Sequence, residues 1–90
     1  MDLNEIIVRY NVDGKQVYDL IDKMCAMDSN HVLGIELSRS FYTDIIIFLM
    51  MAFNEGNTAG LFGEILLELM RSLGVYYDFI DIIKKSKNNK

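Results

Sequence analysis

The chain has 90 residues, room for one domain and no more. Its formal net charge of −4 disfavours non-specific binding to nucleic acid or to an anionic membrane, because an acidic surface repels phosphate. A single cysteine, Cys25, excludes an intrachain disulfide, while 51% of the residues are hydrophobic, a rich share for so small a globule.

The first segment reads as a short helix. Asp2 can cap it, with Glu5 three residues on. Leu3, Ile6, Ile7 and Tyr10 then share one face. A strand is the alternative, since Ile6-Ile7-Val8 is β-prone and Asp13-Gly14 is a hairpin signal. Helix is preferred because no convincing second strand follows.

Asp13 is the clearest start signal in the chain. Gln16 stands at the capping-box position, and Val12 and Val17 flank the pair as a hydrophobic staple. Val17, Leu20, Ile21 and Met24 continue the helical face, so a second helix is expected over about 14–27. It ends at Asp28-Ser29-Asn30.

A third helix is expected from Ser29 or Asn30 to Phe53, roughly 35 Å long. Leu33, Leu37 and Phe41 mark its first half. In its second half Phe41, Ile45, Phe48 and Ala52 form one apolar seam, and Tyr42, Ile46, Leu49 and Phe53 form another. A helix apolar on so many sides must be surrounded. Ile45 to Phe53 is also the longest unbroken apolar run, well short of the roughly 20 residues that span a bilayer.

Gly56 stops that helix, and Asn57 or Thr58 can cap the next. From there Phe62, Leu66, Leu69, Leu73, Tyr76, Ile80 and Ile83 alternate at spacings of four and three, a heptad seam. Gly74 interrupts it, and either kinks one helix or splits it into 58–73 and 75–85. Residues 86–90 read as a polar, disordered tail beyond a single domain of 1–85.

Candidate chemistry is sparse. His31 is the only histidine and Cys25 the only cysteine, so the usual zinc sets cannot be assembled in one chain. Cys25 sits near a helix C-terminus, where the dipole opposes a thiolate. Glu64 and Glu68, and Asp78 and Asp81, make carboxylate pairs, but Arg71 and Lys85 stand at helical spacing from them and suggest a solvated ion-paired face. Gly56, Gly60 and Gly63 lack the Gly-Lys-Ser/Thr ending and the preceding strand of a phosphate loop. Met24, Met27, Met50, Met51 and Met70 suit core filling, or less readily an adaptable groove.

The expected fold is all-α: a small bundle of four to five helices around a long apolar central helix, completed by homo-oligomerisation. The expected function is a non-enzymatic protein–protein interaction or regulatory module, a small acidic helical adaptor or inhibitor. It acts by surface occupancy, as a homodimer or on another protein, with no catalytic residue, metal or cofactor. The surplus of apolar seams places the contact at Ile46, Leu49, Phe53, Leu66, Leu69, Leu73, Tyr76 and Ile80. The alternative is a helix-turn-helix-like nucleic-acid-binding regulator using residues 28–40, with Asn30, His31, Ser38, Arg39 and Ser40 toward the groove. A cytoplasmic location is expected, since the N-terminus lacks the basic start and apolar run of a signal peptide.

Overall fold

Two of the helix starts are fixed by aspartates. In a computed structural model of the chain, which describes residues 2–28, 39–56 and 60–88 without the side chains of 87 and 88, helix α1 spans Leu3–Tyr10. The Glu5 backbone N–H donates to Asp2 Oδ1 at 2.9 Å, satisfying one of the free donors of the first turn. Helix α2 spans Gly14–Asp28, and there the Gln16 N–H donates to Asp13 Oδ1 at 3.2 Å. The return half of the expected capping box is not used. The Gln16 amide instead donates to Asp81 Oδ2 of the last helix, 2.7 Å away.

Helix α3 spans Arg39–Asn54, α4 Gly60–Ser72 and α5 Tyr76–Asn88. The described residues are thus all-helical, in five helices. The expected long central helix is described only over its apolar second half. Its expected first half, with His31, Leu33 and Leu37, lies outside the described residues.

Three helix ends close through left-handed residues. Asn11 (φ 53°) ends α1: its N–H reaches the Val8 carbonyl, and the Val12 N–H reaches Ile7. Gly74 (φ 75°) ends α4 in the same way. The Gly74 N–H donates to Arg71 O and the Val75 N–H to Met70 O, each at 3.0 Å. This Schellman closure turns the chain, and its apolar partners Met70 and Val75 are both fully buried. Gly74 therefore splits the heptad seam into two helices. Gly56 (φ 74°) follows α3 as a stop, its N–H 3.5 Å from the Phe53 carbonyl.

Gly74→Ala should lower stability by about 1 kcal/mol, because an L side chain is strained in the left-handed region. No atom lies within 4 Å of the added Cβ, so steric clash contributes nothing. Gly74→Asn should cost less, as Asn11 tolerates the same conformation here. Urea unfolding of both variants checks the order.

Helix α3 is the hub, packing on α1, α2 and α5, while α5 also packs on α2 and α4. Tyr42, Ile46, Leu49 and Met50 of α3 are fully buried. Around them lie Ile6 of α1, Ile21 and Met24 of α2, Met70 of α4 and Phe79 and Ile82 of α5. Phe79 meets Phe53 edge-on with centroids 5.8 Å apart. Arg71 lies over the Tyr76 ring at 4.3 Å and also donates to Glu68, so it braces the turn between α4 and α5.

Helix α5 continues past the expected boundary at 85. Ser86 is buried, and its hydroxyl donates to the Tyr10 carbonyl at 2.7 Å, with Asn54 Oδ1 at 3.0 Å. The Asn54 amide nitrogen in turn donates to Met50 O at 2.8 Å. Beside this clasp the Tyr10 hydroxyl donates to Glu55. The ends of α1, α3 and α5 are thereby joined.

Candidate functional site

The core residues of α3 leave one side of that helix open. Among the described residues, five of the eight large hydrophobic residues that stay exposed belong to α3 and α4: Phe41, Phe48, Leu61, Phe62 and Ile65. Leu61 is 79% exposed, and Phe62 and Ile65 are each 57% exposed. Their positions follow from helical geometry. Phe41, Ile45 and Phe48 stand at i, i+4 and i+7 on α3, and Phe62 and Leu66 at i and i+4 on α4. The two helices meet through side chains such as Phe48 and Phe62, whose rings pack edge-on with centroids 5.3 Å apart.

That bridge leaves a groove of about 330 Å³ lined by Phe41, Asp44, Ile45, Phe48, Phe62 and Leu66. Asp44 is its one charged group. Beyond Phe48 a smaller hollow of about 180 Å³ continues along α3, lined by Phe48, Met51, Ala52 and Glu55. The lining is apolar with a carboxylate in each hollow, and contains no lysine or arginine. Such a surface suits an apolar side chain more than a reacting polar substrate.

The eight expected contact residues are placed differently. Ile46, Leu49, Leu66 and Leu73 are buried within the chain itself, at 5% exposure or less. Phe53, Leu69, Tyr76 and Ile80 are partly buried and packed against the same core. Of the eight, only Leu66 lines the groove. Of the two seams on α3, the one containing Tyr42, Ile46 and Leu49 turned inward. The one containing Phe41 and Phe48 reaches the surface. Phe62, the first residue of the heptad seam, is also outside rather than in a helix–helix contact deep in the fold.

The other candidate groups are accounted for locally. Glu68 pairs with Arg71 and Asp81 with Lys85, as their spacing suggests. The Asp81 carboxyl is held below its ordinary value by the Gln16 amide first and then by Lys85. Lys23 reaches Asp78 at 2.8 Å across the α2–α5 boundary, and Lys15 reaches Asp19 at 2.7 Å. These pairs are exposed and screened by solvent, so they add little to stability. Cys25 is half-buried on α2, packed against the core. Met24, Met50 and Met70 are core residues, and of the five methionines only Met51 lines the open side of α3. Gly63 is buried in α4.

Asp28 and Tyr42 form a second internal polar group among the described residues, in addition to the Ser86 clasp. Tyr42 is fully buried, and its hydroxyl faces the Asp28 carboxylate without closing a well-formed hydrogen bond. Burial first, and the neighbouring Asp28 charge second, push the Tyr42 phenol up to about 12. Burial and the hydrogen bond to Glu55 also raise Tyr10.

Most of the nucleic-acid alternative, including Asn30, His31 and Ser38, lies outside the described residues. Arg39, within them, binds Asp22 of α2, and Ser40 is exposed. Among the described residues no helix is long and apolar enough to cross a membrane, and no three histidine, cysteine, aspartate or glutamate residues gather as a metal site. No known protein family, curated protein or solved structure matches the chain.

Proposed function

We propose that this chain is a non-enzymatic protein–protein interaction module that acts by surface occupancy through the α3–α4 face. One observation carries the reading. Phe41, Phe48 and Phe62 stay exposed around a groove, and Leu61 and Ile65 of the same α4 helix stay exposed as well. Contiguous apolar surface of this kind costs free energy in water and is recovered when another apolar surface covers it. Aromatic anchors are also the side chains that dominate binding energy at interfaces.

The expected homodimer takes an altered form in this reading. Ile46, Leu49, Leu66 and Leu73 are spent on the interior, so pairing of two copies would run through Phe41, Phe48 and Phe62. A regulatory or inhibitory role is the same action seen from the partner's side: its surface is covered.

Hydroxyl-radical footprinting tests the face directly. Phe41, Phe48 and Phe62 should be protected inside the native cell relative to the dilute purified chain. Equal reactivity in both settings would remove the reading. The Phe48→Asp/Phe62→Asp double variant should stay folded, since both side chains are exposed, and should lose the protection at Phe41.

A further inference from the structure

We propose that the α3–α4 groove receives a basic amphipathic helix from a different protein, its apolar face on Phe41, Phe48 and Phe62 and a lysine or arginine on Asp44. This rests on the reading of that face as a docking surface and names its occupant.

The shape fits a helix. Phe41, Ile45, Phe48, Met51 and Ala52 form one row along α3, with Asp44 toward one end and Glu55 at the other. From Asp44 to Glu55 the rise along a helix is roughly 16 Å, about three turns. An amphipathic helix laid in such a trough offers apolar anchors at i, i+3 or i+4, and i+7.

The charge selects its kind. Both charged groups of the trough are carboxylates, and no cation lines it. Asp44 has no ion-pair partner among the described residues. In a second copy Lys15, Lys23, Arg39, Arg71 and Lys85 already hold a carboxylate of their own chain, which leaves Arg9 and Lys84 as exposed cations among the described side chains. The chain's net charge of −4 also opposes self-pairing and favours a basic partner. The phenylalanines supply affinity, and the acids supply choice between partners.

The test uses two synthetic amphipathic helices of about 16 residues, with the same leucine and phenylalanine face. One carries lysines beside that face and the other glutamates. Fluorescence anisotropy reads their binding to the intact chain. The lysine helix should bind at least about tenfold tighter than the glutamate helix. Phe48→Asp should weaken it about tenfold or more, although that variant is more negative. Asp44→Lys should weaken it by about three- to tenfold. Glu64→Lys makes the same charge change on an exposed α4 residue outside the groove lining, and should leave binding unchanged.

Equal binding of the two helices, or equal damage from Glu64→Lys and Asp44→Lys, would overturn the proposal. Light scattering separates its failure from that of the docking surface itself. A wild-type dimer that Phe48→Asp converts to a monomer would give the groove to a second copy, refuting the basic partner while keeping the face as an interface.

Discussion

Phe79→Ala should lower the stability of this protein by about 3–5 kcal/mol. The chain's whole stability is on the order of 5–9 kcal/mol, so the variant loses roughly a third of it or more. Phe79 is fully buried, and its ring packs edge-on against Phe53, so truncation removes the α5 side of an aromatic contact at the hub. Phe79 belongs to a core cluster built from all five helices, and close packing limits how far the cavity can collapse. Tyr77→Ala is the matched control. Tyr77 sits two residues earlier on α5 but is 83% exposed, and its loss should stay within about 0.5 kcal/mol. Urea unfolding followed by circular dichroism reads both. Similar midpoints for the two variants would mean that the inner face of α5 is wrongly assigned.

Alkaline pH should have the second-largest effect. The Tyr42 phenol is raised from its ordinary value near 10 to about 12, mainly by burial. Below pH 10 both the folded and the unfolded chain hold that proton, and the stabilisation is fully present. Between pH 10 and about 12 the unfolded chain releases it while the folded chain keeps it. The unfolded state then binds fewer protons, so stability falls as pH rises. One such group costs about 2–3 kcal/mol by the upper end of the window. Tyr10 shifts in the same direction and adds to the slope. Tyr42→Phe keeps the ring and removes the proton, so its stability should fall less over this range. Parallel wild-type and variant curves would show that Tyr42 does not control the alkaline transition.

Local signals were legible in the sequence wherever the physics is local. Asp2 and Asp13 announce helix starts, because a carboxylate can accept a first-turn N–H without help from the rest of the fold. Gly74 was ambiguous for a physical reason. The seam from Phe62 to Ile83 keeps its period across the glycine, so periodicity alone favours one helix. The break depends on Met70 and Val75 closing over the turn inside the core, which is a tertiary event.

The site was harder to read. Both α3 seams are apolar, and nothing in their composition says which faces α2 and α5. Phe41 and Phe48 were visible as a seam, but their exposure depends on how far α4 stands from α3. Ile46, Leu49, Leu66 and Leu73 point toward an interface in the sequence because apolar spacing is the same whether the covering helix belongs to this chain or to another. The contacts of Gln16 with Asp81, Lys23 with Asp78 and Ser86 with Tyr10 join distant parts of the chain, and no periodic pattern encodes them.

The Ser86 clasp sets the order of events during synthesis. Tyr10 leaves the ribosome 76 residues before the hydroxyl that binds its carbonyl. At about 5–20 residues per second this interval lasts roughly 4–15 s. Throughout it Leu3, Ile6 and Tyr10 lack the α5 wall of Phe79, Ile82 and Ile83 that later completes their core. The nascent chain can pack α1 and α2 on α3 during this interval, but the α5 side of the core stays open for seconds and closes only after residue 86 has emerged.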